Sequence, residues 1–153
     1  MKKFLLIVLV LMAGVALYSC AAMNSLTSIP LPQIVQIVPP DPSLPPEIKA
    51  FSGKWGGRWW SSNSSGSLDA ALIIEEIMDK QATVVYGWGN SPEWGIKEGW
   101  GRFKADFSRN KEGELTFLWV SPRTGSKFEF RVKGDKLEGM AGANTYITMK
   151  RLQ

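Results

Sequence analysis

The stretch Ser126-Lys127-Phe128-Glu129-Phe130-Arg131-Val132-Lys133 alternates charged and apolar side chains without a break. Successive side chains of a strand point to opposite faces, so Phe128, Phe130 and Val132 fall on one side and Lys127, Glu129 and Arg131 on the other. One face is buried and the other is wet, as in an antiparallel sheet. The same phase recurs upstream, where Phe103, Ala105 and Phe107 oppose Arg102, Lys104 and Asp106, and it returns more loosely in Leu115, Phe117 and Trp119. Short runs of this kind follow one another along the chain, which predicts eight strands near 51–60, 67–77, 81–88, 101–107, 113–120, 126–132, 135–141 and 144–151. Turn residues at 110–113, Gly134-Asp135 and 142–144 separate them. Eight consecutive antiparallel strands predict an all-β, up-and-down barrel, whose interior either fills with side chains or holds one small ligand. Closure also removes the exposed edges that an open sheet would leave.

Composition agrees with one small β-domain plus appendages. The 153 residues are 44% apolar and include 15 Gly, 7 Trp, 7 Phe and 3 Tyr, a mixture that favours strands and turns over helices. Histidine is absent, which removes the commonest general base and the commonest metal ligand. One cysteine permits no intrachain disulfide. The net charge is +4 with Lys2 and Lys3 in the leader, and the basic residues are interspersed with acidic ones, so no patch for nucleic acid is expected. Glu75 and Glu76 are adjacent and point to opposite faces of a strand, which excludes them as a paired acid and base. An inward Glu76 would need a partner such as Arg58, Arg102 or Lys104, whereas a solvated Glu76 would need none. Carboxylates such as Glu76, Glu93 and Asp106 would have to converge in a cleft to act together. No nucleophile–base pair, metal-ligand spacing or phosphate-cradling loop is readable, so a non-catalytic protein without cofactor or metal is expected.

The chain opens with Met1-Lys2-Lys3 and an apolar run from Phe4 to Leu17. This is the layout of a secretory signal, and it is shorter than the ~20 apolar residues of a transmembrane helix. Its end, Leu17-Tyr18-Ser19-Cys20, resembles the lipobox of bacterial lipoproteins. The resemblance implies a signal peptide over 1–19 and an acylated Cys20 that anchors the protein to a lipid bilayer. Ala21, where an inner-membrane retention signal typically shows Asp, implies an outer-membrane location. Residues 20–48 then contain Pro30, Pro32, Pro39, Pro40, Pro42, Pro45 and Pro46, a density that predicts a semi-rigid spacer. Within it Ile34-Val35-Gln36-Ile37-Val38 is too apolar to stay exposed and is expected to pack on the barrel or pair with an edge.

The domain from 49 to 153 begins with Gly53-Lys54-Trp55, which resembles the Gly-x-Trp signature of lipocalins, avidins and related calycin barrels. The resemblance implies that Trp55 sits where the barrel closes, with Arg151 of the last strand stacked on it. The segment from Ala82 to Gly89 is also similar to small lipocalin-like domains found alone or appended to bacterial hydrolases. A small, mostly apolar ligand is therefore expected, with Trp55, Trp88, Trp94, Ile96, Trp100, Phe117, Trp119 and Phe130 as candidate binding residues. The segment 89–100 reads as the longest loop of the domain, and its Trp94 and Trp100 either stack on a ligand at the barrel mouth or plug that end as core. Of Trp59-Trp60, one must face outward. If the interior is solid, an outer patch involving Trp60 or the 89–100 loop would instead contact a partner protein or the cell wall.

Overall fold

The structure is a computed structural model and describes residues 29–153. The signal peptide and Cys20 lie outside the described residues. The eight strands are β1 (Gly53–Ser61), β2 (Ser64–Ile77), β3 (Gln81–Trp88), β4 (Gly99–Arg109), β5 (Leu115–Val120), β6 (Lys127–Lys133), β7 (Lys136–Ala141) and β8 (Thr145–Arg151). Each pairs antiparallel with the next, and β8 returns to β1 with Trp55 opposite Arg151 and Ser61 opposite Thr145, so the sheet is a closed up-and-down barrel. Seven of the eight expected strands are met within about two residues at each end. The exception, β2, begins three residues earlier than expected because Ser64-Ser65-Gly66 continues the hairpin instead of forming a polar loop.

The interior follows the alternation. Trp55 and Trp59 of β1, Leu72 and Ile74 of β2, Val84 and Tyr86 of β3, Phe117 and Trp119 of β5, Phe130 of β6, Leu137 of β7 and Ile147 and Met149 of β8 are all buried together. Where β1 and β8 draw together, Gly57 faces Met149; a Cβ there would lie 2.4 Å from the Thr148 carbonyl oxygen. The short helix α1 (Pro46–Lys49) precedes β1 and buries Ile48, with Phe51 just after it, so this end of the barrel is capped by the incoming chain.

Over the described residues the Pro-rich segment lies against the barrel, as expected for 34–38, and it does so from Ile29 onward, where a spacer was expected. On β2 and β3 the outward-facing Ala71, Ile73 and Val85 are as buried as the core. The segment crosses this outer face. Ile29 is buried, and Gly87 makes room for it, since a Cβ on Gly87 would lie 2.7 Å from the Pro30 carbonyl oxygen and 2.9 Å from Ile29. Further along, the Val38 N–H donates to the Glu75 carbonyl at 2.7 Å. That carbonyl is free because the register of β2 against β3 slips between Ile74 and Glu76, leaving Glu75 as the bulged residue. Val35 and Ile37 are half-buried, while Ile34 is 81% exposed.

The bulge also settles the two carboxylates. Glu76 is exposed, and Glu75 on the outer face is the buried one. Glu75 is held bidentately by Arg102, at 2.7 and 3.0 Å, and Arg58 grips Asp69 in the same way at 2.6 and 3.0 Å. Arg58 and Asp69 face each other on the adjacent strands β1 and β2, where opposite charges stabilise the register, whereas Arg102 of β4 reaches over β3 to Glu75 of β2.

Candidate functional site

The two ends of the barrel are built differently. At the helix end the Trp55 indole N–H donates to the Phe51 carbonyl at 2.8 Å, and the Arg151 guanidinium lies 4.1 Å over the same ring. Arg151 also donates to the carbonyls of Ser52, at 2.5 Å, and Ala50, at 2.6 Å. Phe51 packs edge-on against Phe107 and Phe117, with centroids 5.4 and 5.1 Å away. One residue pair thus ties the first strand, the last strand and the incoming chain together. A cavity of about 220 Å³ lies outside this seal, lined by Glu47, Phe51, Glu114 and Arg131 among others.

Through the middle runs a column of aromatic rings. Phe117 stacks on Phe130 at 5.3 Å, Phe130 on Trp119 at 5.2 Å, and Trp119 on Phe128 at 5.2 Å with planes only 6° apart. Trp59 meets Phe128 and Phe130 edge-on, and its indole N–H donates to the Tyr86 hydroxyl at 2.7 Å. Offset and edge-on contacts at these spacings are the favourable aromatic arrangements. Burial holds the Tyr86 phenol well above its ordinary value, against the lowering effect of the Trp59 hydrogen bond, so Tyr86 is neutral.

The loop end carries the segment between β3 and β4, folded by a 3-10 turn (Pro92–Trp94) and a bridge between Ser91 and Ile96. Gly95 ends the turn with a left-handed φ of 63°, a conformation glycine takes without steric cost. The Trp94 indole N–H donates to the Ser64 hydroxyl at 2.6 Å, and its ring lies on Gly66, where a Cβ would come within 2.3 Å of Nε1. Trp88 donates from its indole to the Lys97 carbonyl at 2.9 Å and stacks on Tyr86 at 5.7 Å. Trp88, Trp94, Ile96 and Phe128 are half-buried and pack against the core from this side. The Ser91 hydroxyl is buried and has no hydrogen-bond partner among the described residues.

The candidate residues therefore divide into three groups. Trp55, Phe117, Trp119 and Phe130 are inside, Trp88, Trp94 and Ile96 are gathered at the loop end, and Trp100 belongs with neither. Trp100 is not in the loop, as the sequence suggested, but in β4, paired with Gly87 and 44% exposed on the outer face. Its flanking Gly99 and Gly101 imitate a loop, yet both lie in the strand, with Trp88 and Phe103 packed over the space where their Cβ atoms would be. Trp59 and Tyr86 are interior aromatic residues that sequence reasoning left out, and Phe128, which alternation placed on the buried face, was not among the candidate binding residues. The parity of β1 could have placed Trp59, which shares a face with Trp55. Among the described residues no cluster of His, Cys, Asp and Glu is arranged to hold a metal ion.

No family profile and no curated protein matches the sequence. Among solved structures, the chain is similar to a protein described as a de novo designed fluorescence-activating β-barrel, at 17% identity and a TM-score of 0.51, over 72% of this chain and all of the other. The likeness concerns the fold. It sets the class of the domain as a closed, eight-stranded, up-and-down antiparallel barrel, consistent with a lipocalin-like architecture.

Proposed function

We propose that this is a lipid-anchored protein of the bacterial envelope, held in the outer membrane by an acylated Cys20, whose barrel is a non-catalytic module that binds a small apolar ligand at its loop end. The observation that carries the binding reading is the asymmetry between the ends. The helix end is sealed by Trp55, Phe51 and Arg151, whereas the loop end is closed by the half-buried Trp88, Trp94 and Ile96 beside the Ser91 hydroxyl, which has no partner among the described residues. An apolar ligand would displace Trp94 from Gly66, stack on Trp88 and Phe128, and hydrogen-bond to Ser91. The designed barrel named above supports this reading in kind, being described as fluorescence-activating.

A second reading is favoured by the aromatic column: the interior is already filled, and the barrel is a rigid body that presents its outer surface to a partner. Tryptophan fluorescence of the mature chain, titrated with fatty acids, lipids and aromatic compounds, separates the two. A saturable shift that disappears in Trp94→Ala supports the loop-end site, and silence from a folded protein supports the solid barrel. The anchor is tested separately, by labelling cells with a radioactive or clickable palmitate. Label on the natural chain and none on Cys20→Ser is the expected result, and label on neither removes the lipoprotein reading.

A further inference from the structure

The outer surface of β6, β7, β8 and β1 carries a groove of about 790 Å³ beneath the β4–β5 turn. Two rows of outward side chains form its floor. Trp60, Tyr146, Met140 and Glu129 lie opposite one another across successive strands, and Thr148, Glu138 and Arg131 make the row beside them. Trp60 is 52% exposed, a large apolar ring left in water. Its centroid stands 5.1 Å from that of Tyr146, with the planes 36° apart, and the Tyr146 hydroxyl donates to the Ala143 carbonyl at 2.9 Å. That bond fixes the ring, so the two aromatics form a pre-oriented shelf.

The charges on the floor beside the shelf are paired, and Lys111 and Glu112 of the overhanging turn are left to the rim. Lys127 meets Glu129 at 2.8 Å, Arg131 bridges Glu114 at 2.5 Å and Glu138 at 3.1 Å, and Lys133 stands 3.8 Å from Glu114. The Asn110 amide and the Arg131 guanidinium together hold the Glu114 carboxyl below its ordinary range, so Glu114 keeps its charge beside Arg131 at neutral pH. A floor whose cations and carboxylates neutralise each other gives an ionic ligand nothing to replace its hydration, yet it still offers hydrogen-bond donors and acceptors at the rim. An acyl chain would strip water from those charges without return. An extended peptide would find no strand to pair with, because every strand here is bonded on both sides.

We propose that this groove binds a neutral oligosaccharide, one face of a pyranose ring stacking its C–H groups on Trp60 and Tyr146 while the ring hydroxyls bond to Thr148, Glu129 and the Lys111 side of the β4–β5 turn. Its volume falls in the range of about 300–1,000 Å³ typical of small-ligand sites. It is a groove rather than a cavity, which suits a ligand longer than the site. This site is separate from the loop end and does not rest on the reading given there or on the anchor.

The test is saturation-transfer NMR of the detergent-solubilised full chain with chitotriose, cellotriose and maltotriose, backed by tryptophan fluorescence titration. Saturable binding of at least one trisaccharide is expected, weakened about tenfold or more by Trp60→Ala and by Thr148→Arg, which fills the groove without removing an aromatic, and unchanged in Trp100→Ala. Thermal melting of each variant shows that it is folded, and if Trp60→Ala is not, Thr148→Arg decides. Binding of none of the three sugars, or binding that survives Thr148→Arg, overturns the proposal. So does concentration-dependent dimerisation that Trp60→Ala or Thr148→Arg abolishes, which would assign the groove to a second copy of the chain.

Discussion

Tyr86 is buried with its hydroxyl accepting from Trp59, so its proton is held far more firmly than in an unfolded chain. Below the ordinary phenol range both states are neutral, and the residue adds no pH dependence. Above about pH 10 the unfolded chain ionises there while the folded one cannot, so this contribution to stability falls as pH rises. Tyr86→Phe should remove that part of the alkaline loss in denaturant titrations. At neutral pH it should cost about 1–3 kcal/mol, because the buried Trp59 N–H loses its acceptor. Arg151→Ala removes two hydrogen bonds to carbonyls and a cation over Trp55, and a loss of about 1–2 kcal/mol in the same titrations is expected for so exposed a side chain. The sequence made the Trp55–Arg151 pair legible through its resemblance to calycin barrels. It did not make the Trp59–Tyr86 bond legible, because nothing local links residues on two strands that are not neighbours.

Among the elements, the best-read strand was β6 and the most instructive was β2. In β6 only one face is buried, so the residues alternate and the face can be read directly. In β2 the run Ala70-Ala71-Leu72-Ile73-Ile74 is apolar on both faces. Two-sided burial is the mark of a covered sheet, and here the cover is the Pro-rich segment that the same sequence suggested was a spacer. The two features explain each other, since an apolar outer face and a sticky stretch at 34–38 each need a partner. The segment's hold can be tested at Gly87, whose missing side chain lets Pro30 lie close. Gly87→Val should lift the segment, so that limited proteolysis cuts within 29–45 at least several times faster, while the strands themselves remain protected. Trp100 was misread for the converse reason: glycines on both sides gave it the look of a loop, and its position on β4 follows only from the register with Gly87.

Taken whole, the barrel is held at three places: the seam of β1 with β8, the cap of α1 and Phe51, and the strap across β2 and β3. Its fold was legible because eight short strands with turn residues between them have few compact arrangements. The candidate site was legible only in part, because which aromatics fill the interior and which line a mouth depends on depth along the barrel axis, and alternation reports the face but not the depth. A chain lacking everything before Pro46 should keep the interior but expose Ala71, Ile73 and Val85. Stronger binding of a hydrophobic dye and a lower melting temperature than the natural protein are the expected outcomes, and an unchanged melt would show that the strap contributes nothing to stability.

The seam has a bearing on how the molecule comes into being. Every other strand pair joins neighbours in sequence and can form as soon as its hairpin exists, but β1 must wait for β8, the farthest strand from it along the chain. Such distant pairing is slow, and until it happens two unpaired edges are open to other chains. The final strand is therefore a kinetic latch, and the time between the appearance of β1 and the arrival of β8 is when this protein is most prone to aggregate.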